Sequence, residues 1–279
     1  MLSLTRNVRM CITDGSPAGG TQFPEATEKH NTWSAWPAMR GLSRFYTITV
    51  TCQGEPNPTT GYFINITDID HAVREHCLPY LQDLLASPEN PADLPLGETV
   101  RSLINLIQPA LDETVTALTL HLSPYLSLTV RSQDMDRVII KQQYEFSAAH
   151  RLHSPSLSDE ENKQTFGKCN NPEGHGHNYL LDINISLPID PLGHIASVQE
   201  LDELVDSTII QSLDHKHLNN DTDIFNDINP SVENISKYIY ETLAPKVDML
   251  GSLPGATLES ITLFETAKTA CTYPAPPEV

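Results

Sequence analysis

Apolar and polar residues alternate through residues 1 to 12 and again through FYTITVTCQG, so both stretches are read as strands; the second is followed by a turn at EPNPTTG and a short return through Tyr62 and Phe63. Residues 13 to 44, rich in Gly, Pro, Ser and Thr and holding Trp33 and Trp36, are expected as a long loop. The period then lengthens. Ile69, Val73, Cys77, Leu81 and Leu84 fall at helical spacing over 68–85, although Pro79 interrupts the middle. After the loop ASPENPADLP, a second helix is expected from Glu98 to about Ala110, with Val100, Leu103, Ile104 and Ile107 on one face. TVTALTLHLS and YLSLTV return to alternation and are joined by a turn at Pro124.

The second half repeats this order. Strands are expected at about 138 to 149 and 175 to 187, joined by a long loop over 151–174. A helix starts after Ser197, where Ser197 and Glu200 have capping-box spacing and Leu201, Leu204, Val205, Ile209 and Leu213 form the buried stripe. Another runs from about Val232 to Leu243, with Ile235, Tyr238 and Ile239 inward and Pro245 helping to stop it. TLESITLFET and TACTY close the series as strands. An offset of 132 places Gly61 on Gly193, Ile69 on Leu201 and Asp70 on Asp202, so the chain reads as a tandem duplication with domains 1–134 and 135–279.

Charge and cysteines narrow the picture. A net charge of −19 and a pI near 4.8 argue against nucleic acid or an anionic membrane as partner. Five cysteines without a CxxC pair suggest neither a disulfide framework nor a cysteine zinc module, as expected for a reduced, cytoplasmic chain. MLSLTRNVRM lacks the apolar core of a signal peptide, and no apolar run is long enough for a membrane helix.

The candidate chemistry sits in residues 146 to 179. His175 and His177 share a face only on a strand, because side chains two apart on a helix diverge by about 200°. Tyr144, Phe146, Ala148 and His150 share a face of the preceding strand, so an antiparallel hairpin gathers three imidazoles at one end. Three neutral imidazoles without a fourth protein ligand describe a catalytic zinc site with an open position. An HxH pair by itself is commonly an exposed or core-satisfied pair, and His150 is what raises it above that.

FSAAHRL, FGKC, the Cys-x5-His-Gly-His-Asn-Tyr run, LDHKHLN, PSVENIS and LFETAK together resemble the 6-pyruvoyl tetrahydropterin synthase family. The resemblance implies zinc held by His150, His175 and His177, Cys169 as catalytic base with Asp214 and His215 as its partners, and Glu265 as the pterin anchor. Ser231 and Glu233 stand where the family usually carries Thr-x-Glu and are expected at the substrate. Triphosphate would be met by some of Arg151, Lys163, Lys168 and Lys216. His217 is left on the surface.

An α+β fold follows from the same resemblance: two tandem T-fold domains, each a four-stranded antiparallel sheet with two helices on one face. The offset carries His175 onto Ser43 and His177 onto Phe45, so the first domain keeps the frame without the metal site. The implied activity is a zinc-dependent lyase acting on 7,8-dihydroneopterin triphosphate, a small-molecule pterin partner. The alternatives are a 6-carboxytetrahydropterin synthase of the queuosine pathway, typically with a shorter gap from cysteine to HxH, and a non-catalytic pterin-binding or scaffold protein. The family assembles as stacked trimeric rings, which implies a homo-oligomer: a trimer of two-domain chains forming a pseudo-hexamer, or a hexamer.

Overall fold

The computed structural model describes residues 1–12, 31, 33, 35–39, 41–87, 94–189 and 198–275. These fall into two compact units; the first runs from Met1 to Ile140 and takes in Pro188 and Ile189, and the second holds Lys141–Leu187 and the chain from residue 198 onward.

In the first unit the expected alternation gives β1 (Leu2–Ile12), β2 (Arg44–Gly54), β3 (Val115–His121) and β4 (Leu126–Arg131), in that spatial order and antiparallel where their registers are defined. Register explains the two faces. Val8, Ile48, Leu120 and Leu128 form one buried row, whereas Asn7, Thr49, Thr119 and Thr129 form a polar row linked by side-chain hydrogen bonds of 2.7 Å at Asn7–Thr49 and at Thr119–Thr129. The apolar rows are covered by a helix built from α1 (Ile66–Ala72), a π turn (Val73–Cys77) and α2 (Leu78–Ala86), and by α3 (Leu96–Ile107). Ile69, Val73, Cys77, Leu81, Val100, Leu103, Ile104 and Ile107 are buried there, each side chain of this size contributing about 1.5–3 kcal/mol.

The expected return strand after EPNPTTG does not form. Asn57 closes the turn through its side-chain oxygen, and Phe63 folds back over Gly54, where an added Cβ would lie 2.6 Å from the ring. Most of the expected loop at 13–44 lies outside the described residues. Its end pairs with β1, through Trp36 N–H to Arg9 O and Cys11 N–H to Pro37 O, both 3.0 Å. Among the described residues of this unit, Asp70 is deeply buried: 5% exposed, it accepts two hydrogen bonds from Arg6 at 2.7 and 2.8 Å with Arg74 beside it.

Strand β5 (Asp134–His150) begins in the first unit and ends in the second. The second unit orders its sheet β5, β6 (His175–Pro188), β8 (Thr257–Thr266), β9 (Thr269–Tyr273), with the two-residue β7 (Lys216–His217) parallel to the end of β5. Over it pack α5 (Gln199–Val205), a π turn (Asp206–Ile210), α6 (Gln211–Leu213) and α7 (Val232–Val247). Leu201, Val205, Ile209, Leu213, Ile235, Ile239 and Leu243 meet Leu181, Ile183, Ile185, Ile261 and Leu263 in the core.

Three expectations need correction. The loop 151–174 contains a helix, α4 (Asp159–Phe166), capped by Ser158 and Glu161 in a reciprocal capping box, then a 3-10 turn at Gly167–Asn170. Pro245 lies inside α7 rather than ending it, because the helix already exposes that flank and continues to Val247. Ser197 lies outside the described residues; the N-cap of α5 is Val198, without a side-chain hydrogen bond, and Glu200 accepts from the Ser252 backbone N–H at 3.0 Å. No helix among the described residues is long and apolar enough to cross a membrane.

Candidate metal centre

His150 ends β5 and His175 begins β6, so the pairing of these strands puts their rings side by side; His177 follows on the same face by strand alternation. The three side chains offer nitrogens that all lie within 4.8 Å of one another. His150 Nε2 and His175 Nε2 are 3.2 Å apart, close to the roughly 3.3 Å separation that two tetrahedral ligands at zinc–nitrogen distances require.

The protonation pattern suits a cation. His150 is fully buried and donates Nδ1–H to the Pro230 carbonyl at 2.6 Å, which leaves its Nε2 lone pair facing the cluster. Burial, and then the neighbouring His175, His177 and His217, lower its pKa to about 4 against the pull of the Pro230 bond. His175 is lowered too, by burial and by His177. His177 Nε2 is buried without a hydrogen-bond partner, an orphaned acceptor that a metal ion would satisfy. Beneath the cluster Phe146 and Tyr179 stack at 4.9 Å; burial foremost, then Glu265 and Cys169, raises the Tyr179 phenol well above its ordinary range.

Glu265, on β8, turns its carboxylate toward the same cluster, with Oε1 3.6 Å from His150 Nε2 and 3.7 Å from His177 Nε2. The carboxylate therefore adjoins the imidazoles, where a bound ligand would meet both.

Cys169 sits half-exposed on the 3-10 turn after α4. The loop carrying it is tied to the residues that follow His150 at the end of β5. Leu152 N–H donates to Cys169 O at 2.8 Å, the Asn170 amide donates to Leu152 O at 2.7 Å, and Arg151 Nε reaches Asn170 O at 3.2 Å. Asn162, fully buried, takes the Ser154 N–H and donates to the carbonyls of Ser154, Leu157 and Ser158. Arg151, expected among the triphosphate contacts, is thus engaged in holding this loop.

Asp214 and His215 follow the end of α6. Asp214 Oδ1 accepts the Ser147 N–H at 2.8 Å, and Oδ2 accepts His215 Nδ1–H at 2.7 Å. The Ser147 bond first, then His215, lowers the Asp214 pKa. His215 adopts φ of +55°, which turns its backbone N–H onto Ser147 O at 2.6 Å and lets two consecutive side chains face each other. Its side chain is 83% exposed. Within the described residues the Cys169 thiol and His215 do not bond to each other. His215, Lys216 and His217 line an open cleft of about 480 Å3 with Ser147, Gly176, His177 and Asn178.

His217 is not a surface residue, as its sequence position suggested; it is half-buried, because β7 tucks it against β5. Ser231 caps α7, accepting from Asn234 N–H at 3.4 Å, and Glu233 is exposed in the first turn. Two neighbours of His150 escaped the sequence reading: the Pro230 carbonyl, which has no side-chain signature, and His217, which stands in an HKH run of the same spacing as HGH.

A family model described as 6-pyruvoyl tetrahydropterin synthase matches residues 139–276. The 6-pyruvoyl tetrahydrobiopterin synthase of Poecilia reticulata is 41% identical over 129 residues, 46% of this chain and 84% of the relative. That of Homo sapiens is 40% identical over 135 residues, 48% and 89% respectively. A solved 6-pyruvoyl tetrahydropterin synthase from Caenorhabditis elegans is 37% identical and covers 50% of this chain and 96% of its own, with a TM-score of 0.44.

Proposed function

Since this chain belongs to the 6-pyruvoyl tetrahydropterin synthase family, we propose that residues 135–279 form a zinc-dependent lyase that converts 7,8-dihydroneopterin triphosphate to 6-pyruvoyl tetrahydropterin with loss of triphosphate. The observation that carries this reading is the cluster of His150, His175 and His177, with two buried nitrogens, His175 Nδ1 and His177 Nε2, left without a partner and Glu265 beside it. The donor set fits zinc, which takes imidazole nitrogens tetrahedrally and in catalytic sites keeps the fourth position open. When bound there, zinc supplies Lewis acidity toward the substrate's side-chain hydroxyls.

The protein's own groups do the rest. Glu265 offers two acceptor oxygens to the paired donors of a pterin edge and fixes the ring relative to the imidazoles. Cys169 is the base that removes the side-chain carbon-bound proton; a thiol is mostly protonated at neutral pH, so it needs an acceptor for its own proton. His215 is that group, with its tautomer set by Asp214. Because the thiol and His215 do not bond to each other within the described residues of one chain, the partner is assigned to a neighbouring chain, in keeping with the ring assembly that the resemblance implies. Ser231 and Glu233 border the substrate from the start of α7.

The first half, residues 1–134, is read as a second T-fold without the chemistry. Its support is the order of strand, strand, helix, helix, strand, strand, which the second unit repeats with α4 and β7 added, and the π turn after the first helical segment over each sheet. We assign it a structural role in the homo-oligomer.

The deciding experiment is incubation of the zinc-loaded protein with 7,8-dihydroneopterin triphosphate, following triphosphate release and identifying the pterin by mass. A 6-pyruvoyl product is expected. A 6-carboxy product, or no turnover with zinc bound, would sink the proposal. Cys169→Ala is expected to abolish turnover with zinc retained.

A further inference from the structure

His217 stands behind the imidazole cluster rather than in it. Its strand, β7, pairs with Ala148 and Ala149 just before His150. Leu218 N–H donates to Ala149 O at 2.7 Å, and the Asn219 amide brackets Arg151 by accepting its N–H at 2.8 Å and donating to its carbonyl at 3.0 Å. His217's own N–H is held by Asp221 Oδ2 at 2.7 Å. The backbone at His217 is therefore fixed to the chain on both sides of His150.

From this anchored position the ring reaches the other ligand strand. Gly174, with φ of +73°, closes the turn before His175, its N–H bonded to Asn171 O at 2.9 Å and its carbonyl to the Asn171 amide at 3.0 Å. A Cβ added at Gly174 would lie 2.6 Å from His217 Nε2 and 3.0 Å from the His150 carbonyl. The imidazole thus packs on the bare face of Gly174, one residue from His175. Its Nδ1 is buried with no hydrogen-bond partner among the described residues.

We propose that His217 is a positioning residue of the metal centre: its ring, braced by β7, presses on Gly174 and sets the backbone from which His175 leaves toward the cation. The inference rests on reading the three-histidine cluster as a metal site. A ligand displaced by a fraction of an ångström binds more weakly, and outer groups that orient ligands typically account for about 10–100-fold in metal affinity.

Cobalt(II) titration of the full-length, chelator-stripped protein tests this, read by its visible ligand-field bands, with circular dichroism confirming the fold. His217→Ala is expected to bind cobalt about 10–100-fold more weakly, with shifted bands. Wild-type affinity with unshifted bands would overturn the proposal. Should the alanine variant not fold, His217→Gln replaces it under the same criterion. Gly174→Ala gives a second arm: it should weaken binding strongly beside His217 and less in the His217→Ala background, where the ring is gone. An equal loss in both backgrounds would show that ring and turn are uncoupled and would also overturn it. If the unaltered protein bound no cobalt, the metal-centre reading would fall with it; if it bound and the variants matched it, only this inference would fall.

Discussion

Acid should unfold the metal-free protein largely through His150. Its imidazole has no exposed surface, and burial, then three neighbouring imidazoles, lower its pKa to about 4 from the ordinary 6.5. The folded value lies below the unfolded one, so between the two the unfolded chain carries the extra proton. Stability therefore falls as pH drops through 6.5 and levels off below about 4. At about 1.4 kcal/mol per pH unit, the gap amounts to about 3 kcal/mol, a sizeable share of a domain's total. The assay is urea unfolding of chelator-treated protein from pH 8 to pH 4, compared with His150→Phe, which keeps a ring and removes the titrating nitrogens. The variant loses the Pro230 bond and starts from a different stability, but its slope against pH should be shallower between pH 6.5 and 4. Parallel curves over that interval would refute the assignment.

Other outcomes follow from the same geometry. Asp214→Asn leaves His215 without its carboxylate, and turnover is expected to fall by about 100-fold or more with zinc content unchanged; metal analysis beside steady-state kinetics checks both. His177→Ala removes one of three ligands and should release zinc on dialysis, whereas Cys169→Ala should not. Asn162→Ala strips four hydrogen bonds from a fully buried site and should cost about 3 kcal/mol, with faster proteolysis of the 151–174 loop as the local readout. In the first unit, Asp70→Asn leaves Arg6 and Arg74 without their carboxylate and should destabilise by about 3–5 kcal/mol in chemical denaturation, while zinc stoichiometry stays the same.

Where the chain alternates apolar and polar residues, its strands could be read directly, because one face of each sheet is buried and the other polar; Val8 beside Asn7 and Ile48 beside Thr49 show the rule. The clustering of the histidines was legible for the same reason, since strand period alone aims His175 and His177 together. Helix α4 was not, because DEENKQTF is polar all round and buries only Asn162; what marks it is its cap. The return strand expected at Tyr62 and Phe63 failed because Phe63 found burial over Gly54 without pairing. His217 was misjudged because its burial comes from a two-residue strand too short to show a period. The facing of Asp214 and His215 depends on one positive φ, which no hydrophobic pattern encodes.

The π turns bear on the proposed duplication. Ile69, Val73, Cys77 and Leu81 stand four apart, as do Leu201, Val205, Ile209 and Leu213. In an unbroken α-helix each such step overshoots by about 40°, and three steps would wind the stripe about 120° away from the sheet. Removing one residue would give spacings of four, three and four, which a plain α-helix keeps aligned within about 40°. Each helix thus looks like a regular one into which a single residue was inserted, in the same turn, at Val73–Cys77 and at Asp206–Ile210. If the halves arose by copying, the insertion is older than the copying, and single-domain descendants of the same ancestor should carry the extra residue as well.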